Sequence, residues 1–218
     1  MNQHFKEKQQ LKKTENYIRK EFESEGSGHD WWHIYRVRNM AMKIAKKEGG
    51  DLFLIEMSAL LHDLDDWKIN TGNHWNKTEN WLRKIEVTEF QMNQILRIIE
   101  QVSFKGAGVE TLANTLEAEI VQDADRLDAI GALGIARTFA YGGNKGRQIY
   151  HPEIKPVLHQ TFDDYKNTTA PTINHFYEKL LLLKNRLNTK TAIAIAENRH
   201  TFMEDFLTRF FAEWEGKQ

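Results

Sequence analysis

The sequence predicts an all-α protein, and three observations carry that expectation. Apolar residues recur at helical spacing along almost the whole chain. Only 3 Pro occur in 218 residues, which leaves long stretches free of helix breakers. No segment alternates cleanly between apolar and polar residues as a half-buried strand would. There is no repeat, low-complexity run or linker-like break, so residues 1–218 read as one helical domain.

Taken in order, residues about 6–24 form an amphipathic first helix that ends near Gly26-Ser27-Gly28. A second runs from about His33 to Glu48, with Val37, Met40, Ala41, Ile44 and Ala45 on one stripe. Gly49-Gly50 ends it, and Asp51 is placed to cap the next. That third helix, LFLIEMSALLHDL, is apolar nearly all round, the mark of a helix at the centre of a bundle. Asp65 to Asn76 reads as a polar connector, followed by helices at about 75–86 and 89–102 and a loop from Ser103 to Val109. Leu116 to Tyr141 reads as one helical stretch in which Gly131 and Gly134 permit close backbone approach. Gly142 to Arg147 is a loop, and three helices follow near 153–165, 172–187 and 189–214.

Composition excludes several kinds of function. A net charge of −1 offers no global basic field for a nucleic acid polymer. With 0 Cys there are no disulfides, thiolate nucleophiles or Cys-type zinc sites. The N-terminus, MNQHFKEKQQLKK, lacks the apolar region of a secretory signal, and the longest aliphatic run is Leu180 to Leu183. A cytoplasmic protein without membrane attachment is expected.

The chemistry is expected where ionisable residues interrupt apolar helices, because a buried charge is costly unless paired or bound to metal. His62-Asp63 closes the most apolar helix of the chain, whereas the other such dipeptide, His29-Asp30, precedes a helix. His33 lies in line with the inward stripe through Val37, Met40 and Ile44. Asp123, Asp125 and Asp128 punctuate a third apolar segment, IVQDADRLDAIGALGIA. Each has a plain structural reading. An inward His is commonly a hydrogen-bonded core residue, Asp63 could cap a turn, and the three acids could share one solvated face. Their coincidence on three inward helices favours one interior site of two imidazoles and at least two carboxylates, a mixed set suited to a catalytic divalent cation.

Three strings, HDWWHIYRVRNMA, ALLHDL and VQDADRLDAIGALGIARTF, together resemble the HD-domain metal-dependent phosphohydrolases. The last string is similar to the YpgQ/YedJ-like branch of small bacterial members, and the resemblance covers most of residues 20–210. It implies an HD-type helical bundle with a metal core at about 26–141 and additional C-terminal helices at about 150–215. It also implies that His33, His62, Asp63 and Asp125 hold one divalent ion, with Asp128 the second choice for the last position. Binuclear members carry extra histidines between the dyad and the last Asp, and here only His74 falls in that interval. Manganese is the first expectation, with Co, Ni, Fe, Zn or Mg as alternatives for such a donor set.

The implied substrate is a small phosphorylated molecule, most naturally a nucleotide. A (deoxy)nucleoside triphosphate cut to monophosphate and pyrophosphate is the first expectation. A monophosphate phosphatase, a cyclic-nucleotide phosphodiesterase and a non-catalytic metal or nucleotide sensor are the rivals. Asp63 would orient the attacking water or take its proton, and His29, one turn before His33 in spacing, is a candidate acid toward the leaving group. Cations for the phosphates are sought among Arg36, Lys105, Arg126, Lys145 and Arg147, each equally readable as a surface charge. Neither a GxxxxGKS/T loop nor a strand–GxGxxG–helix unit is present. Trp31, Trp32, Trp67, Trp75 and Tyr150 could stack on a base, although aromatic residues of helical proteins are more often core. The C-terminal stretches LLLLKNRL and FMEDFLTRFFAEW could pack on each other, form a homodimer or bind a protein partner.

Overall fold

The computed structural model describes residues 3–23, 30–65, 76–104, 107–109 and 111–217, and these are all helix, turn and irregular backbone with no strand among them. They fall into two compact units: Met1–Ser103 with Thr111–Asp125, and Phe104–Glu110 with Arg126–Gln218.

The first unit is built around a short apolar helix. Its elements are α1 (Gln3–Glu21), α2 (Trp31–Glu48), α3 (Leu52–Leu61), α4 (Asn76–Lys84), α5 (Glu89–Glu100) and most of α6 (Leu116–Asp128). As its composition predicts, α3 is central: it packs against α1, α2 and α5, and Phe53, Leu54, Ile55, Met57, Ala59, Leu60 and Leu61 are all buried. Gly49 and Gly50 make the turn into it at φ 92° and 93°, a region that favours glycine. A Cβ on Gly50 would also lie 3.0 Å from Ile55 Cδ1. The Asp51 carboxylate then accepts from the N–H groups of Phe53 at 2.9 Å and Leu54 at 3.1 Å. Asp51→Ala should lower stability by about 1 kcal/mol, measurable by denaturant titration, because two first-turn donors lose their partner.

Polar residues seat the helices around α3. Gln10 donates from Nε2 to the carbonyls of Ile85 and Glu86, each at 3.0 Å, and so joins α1 to the end of α4. Trp81 Nε1 donates to Thr14 Oγ1 at 2.9 Å, and its ring stacks on Tyr17 with centroids 4.0 Å apart. Arg38 donates from Nε to Glu56 Oε1 at 2.8 Å and approaches Glu15 at 3.5 Å, which ties α2 to α3 and α1.

The second unit contains α7 (Gly131–Asn144), α8 (Phe162–Asn167), α9 (Asn174–Glu178), a 3-10 helix (Leu180–Arg186) and α10 (Lys190–Trp214). Its aromatic core includes Phe139, Phe176 and Phe206, with Phe176 stacked on Phe206 at 5.6 Å. The FMEDFLTRFFAEW face is therefore partly used within the unit, although Phe202 and Trp214 remain exposed.

Several expected boundaries move. The first helix starts at Gln3 and ends at Glu21, and α4 and α5 end at Lys84 and Glu100. Leu116 to Tyr141 is two helices, parted before Gly131, whose φ is 75°. The expected loop at Gly142–Asn144 is instead the last turn of α7, with Lys145 as its C-cap. No helix spans 153–165: residues 153–160 are irregular, and only α8 is helical there. Pro152 and Pro156 disfavour a helix locally. Buried Asn174 donates to the Ile154 carbonyl at 3.1 Å, and buried Glu178 accepts from Val157 N–H at 3.1 Å, so the segment is held by side chains distant in sequence. Residues 172–187 divide at Lys179, whose φ of −143° breaks the helix and leaves LLLLKNR in the tighter 3-10 form.

Candidate metal centre

The start of α2, the end of α3 and Asp125 near the end of α6 converge in the first unit. The carboxylate of Asp30 caps α2 by accepting from the His33 N–H at 2.8 Å, which places His33 in the first turn with its side chain buried. The glycine turn folds α3 back on α2, so that His62 at the end of α3 meets His33 at the start of α2, with their Nε2 atoms 3.3 Å apart. His62 Nδ1 lies 2.9 Å from the Ala59 carbonyl. Assigning the proton to Nδ1 satisfies that contact and leaves the Nε2 lone pair turned toward His33, the arrangement of a metal-ligating imidazole.

Both carboxylates approach the same nitrogens. Asp63 oxygens lie 3.3 Å from His33 Nε2 and 3.5 Å from His62 Nε2. Asp125, from α6, places Oδ1 at 3.5 Å and 3.9 Å from the same two atoms. His33, His62 and Asp63 are buried and have donor atoms all within 4.8 Å of one another. The Asp125 side chain is 26% exposed and forms the solvent-facing member. Donors around a small divalent ion at about 2.1 Å stand roughly 3.0–3.4 Å apart, so these spacings are close to those a cation would impose. Two acids and two imidazoles brought together out of water also create a charge imbalance that a divalent ion relieves. The donor set fits a metal, with Asp125 leaving one side accessible.

The other acids of that segment point elsewhere. Asp123 is fully buried on the same helix, two residues and so about half a turn from Asp125. Asp128, in the second unit, pairs through Oδ2 with Arg137 Nη1 at 2.8 Å.

The expected substrate cations are distributed differently. Arg36 is half-buried on α2, three residues after His33. Arg126 is buried in the second unit, where its Nη1 donates to the Arg186 carbonyl. In the same unit Lys145 and Arg147 flank the Tyr141 ring at 5.7 Å and 5.5 Å, and Arg147 donates to the Thr168 carbonyl at 2.6 Å. Of the aromatic candidates, Trp31 is buried and Trp32 is 55% exposed. Tyr150 packs edge-on against Phe210, Phe211 and Trp214. His29, His74, Trp67, Trp75 and Lys105 lie outside the described residues.

One contributor was not anticipated from sequence. Asp65, two residues after the dyad, accepts from Thr78 N–H at 2.8 Å and Lys77 N–H at 3.3 Å, so it fixes the end of the α3 turn to the start of α4. The acid run of HDLDD was its signal, and what hid its role was a partner twelve residues away. The Arg38–Glu56 pair had no local signal.

The chain is similar to known proteins over most of its length. A family model described as HD domain matches residues 31–130. A Bacillus subtilis protein, YpgQ, is 38% identical over 207 residues, covering 93% of this chain and 92% of its own. YpgQ has been solved in complex with ADP, with a TM-score of 0.76, 34% identity, and 95% and 96% of the two chains covered. An HD-superfamily hydrolase from Bacillus thuringiensis is 43% identical over 96% of this chain and 98% of its own, with a TM-score of 0.74. A Lactobacillus plantarum protein gives a TM-score of 0.87 at 38% identity, over 95% and 98% of the two chains. Among the described residues no helix is long and apolar enough to cross a membrane.

Proposed function

This chain belongs to the HD-domain family and is a metal-dependent phosphohydrolase, and from that premise we propose that it cuts nucleoside triphosphates to monophosphate and pyrophosphate. The observation that carries the reading is the convergence of His33, His62, Asp63 and Asp125 on one point, with three of the four buried. We assign these four as ligands of one divalent ion, manganese first. When bound, the ion polarises a phosphoryl oxygen and lowers the pKa of nearby water.

The chain's own residues do the rest. Buried Asp63 sits beside both imidazoles and orients the attacking water, whose proton leaves through a carboxylate of the cluster or to solvent. The water oxygen bonds to the α-phosphorus as the α–β bridging P–O bond breaks, and pyrophosphate departs. Arg36, on the same helix as His33, is our candidate for the negative charge that builds on the phosphates. A nucleotide is favoured as substrate because YpgQ, similar over nearly the whole chain, has been solved with ADP.

The test is product release from metal-stripped protein reloaded with Mn, across nucleoside tri-, di- and monophosphates and cyclic nucleotides. Pyrophosphate from triphosphates is the expected result. Inorganic phosphate from monophosphates alone would replace this reading with a phosphatase. No turnover with any metal, despite stoichiometric metal binding, would overturn hydrolysis of these substrates.

A further inference from the structure

His62 and Asp63 stand just past the regular part of their helix. α3 ends at Leu61, and residues 62–65 are a turn in which the Leu64 N–H donates to the Leu61 carbonyl at 3.0 Å. Beyond a helix end the intrahelical ladder no longer sets the backbone, so the contacts of the residues that follow decide how the turn lies. Leu64 supplies one through its buried side chain. Asp65 supplies the other. Its Oδ2 accepts from the Thr78 N–H at 2.8 Å and its Oδ1 from the Lys77 N–H at 3.3 Å, so both oxygens are engaged at the first turn of α4. The opening N–H groups of a helix have no partner within it, and the helix dipole favours a carboxylate there.

The helix that Asp65 grips is itself held in place. Thr78 and Leu82 are fully buried. Trp81 is bonded to Thr14 and stacked on Tyr17, and Gln10 holds the Ile85 and Glu86 carbonyls just past the helix end. The contacts thus run from α1 through α4 to Asp65 and stop two residues short of Asp63. All of them lie in the first unit, as do His33, His62, Asp63 and Asp125.

We infer that Asp65 is a positioning residue: by binding the first turn of α4 it fixes the turn that carries His62 and Asp63, and so holds that imidazole and carboxylate at the spacing of the metal cluster. The inference rests on His62 and Asp63 being ligands. What it asks of Asp65 is an acceptor for two main-chain N–H groups, not a charge near the ion. Loss of the acceptor should therefore weaken metal binding in a protein that is still folded, and loss of the charge alone should not.

The experiment is a titration of the metal-free full chain with Mn alone, followed by the paramagnetic signal of the free ion at a temperature well below unfolding. Asp65→Ala is expected to bind about tenfold more weakly, the scale on which residues supporting a metal ligand act. Asp65→Asn, which keeps an acceptor for the helix start and lacks the charge, should recover most of that loss. Asp65→Glu, which keeps the charge but lengthens the tie by a methylene, should weaken binding severalfold. It carries the test alone should Asp65→Ala fail to fold. Asp51→Ala is the control for stability: it removes the carboxylate that caps the other end of α3 and should bind Mn as the wild type does. Wild-type affinity in a folded Asp65→Ala, or in Asp65→Glu where Asp65→Ala does not fold, overturns the inference, provided that the His62→Ala, Asp63→Ala double variant has lost binding. Equal weakening in Asp65→Asn and Asp65→Ala overturns it in favour of a charge effect, and equal weakening in Asp51→Ala in favour of general destabilisation. Wild-type affinity in the double variant removes the ligand assignment itself and the inference with it.

Discussion

Replacing His62 and Asp63 together by alanine is expected to abolish metal-dependent hydrolysis while leaving the helical content unchanged. Both side chains are buried, and their atoms lie within 3.3–3.5 Å of the other imidazole or of each other across the cluster. A catalytic ion contributes several kcal/mol of transition-state stabilisation, and about 4 kcal/mol corresponds to roughly a thousandfold in rate. A fall of at least about a thousandfold in pyrophosphate release is therefore expected. Chelation of the wild-type protein should give the same loss, reversed by added Mn, whereas the double variant should not respond. Activity persisting in the variant at more than a few percent would place the chemistry away from this cluster. Circular dichroism separates that result from unfolding. The substitution removes two polar groups whose neighbours form an excess of acceptors, so α3 retains its apolar seat.

Leu60→Ala should be a strongly damaging truncation of the first unit. Leu60 is fully buried in α3, the helix enclosed by α1, α2 and α5, so its loss leaves a cavity that no solvent face can relieve. The expected loss is about 2–5 kcal/mol, read as a lower denaturant midpoint. Leu52 gives the control: it is 50% exposed at the start of the same helix, and Leu52→Ala should stay within about 0.5 kcal/mol. Comparable losses at both positions would contradict the central placement of α3. Because His62 and Asp63 directly follow this helix, Leu60→Ala should also reduce metal affinity at temperatures near its unfolding transition.

The central features were legible because they depend on local pattern. An apolar helix without a polar face can only be central, and an imidazole and a carboxylate at its end then require an explanation that few chemistries supply. In the structure the donor atoms of His33, His62, Asp63 and Asp125 lie 3.3–3.9 Å apart. The choice between Asp125 and Asp128 came from resemblance, and the structure supplies a physical distinction: one carboxylate approaches the imidazoles and the other pairs with Arg137.

The second unit was read less well because long-range contacts decide its backbone. Nothing near Gly131 in the sequence announces that the Arg199 side chain will pass beside it. Nothing in VLHQT announces that Glu178 will hold Val157 out of a helix. LLLLKNR carries a helical pattern, and only the backbone angles at Lys179 turn it into a 3-10 helix. Substrate cations were hardest to choose, because an arginine that binds phosphate and one that binds a carbonyl look alike in sequence. Arg126 and Arg147 both donate to main-chain carbonyls in the structure.

The seating of α1 bears on how the protein can be divided for experiment. The family segment, residues 31–130, begins after that helix. A fragment cut at those limits would discard Ile18, Gln10 and Thr14, all buried, and uncover the Ile85 and Glu86 carbonyls together with the Trp81 face stacked on Tyr17. Arg38 would also lose Glu15. At its other limit the fragment would stop before Arg137 and Arg199, the donors that finish α6. The segment that matches the family is thus shorter than the stretch of chain whose contacts hold it in place. Chimeras or minimal catalytic fragments of this protein should carry α1 as part of the transplant.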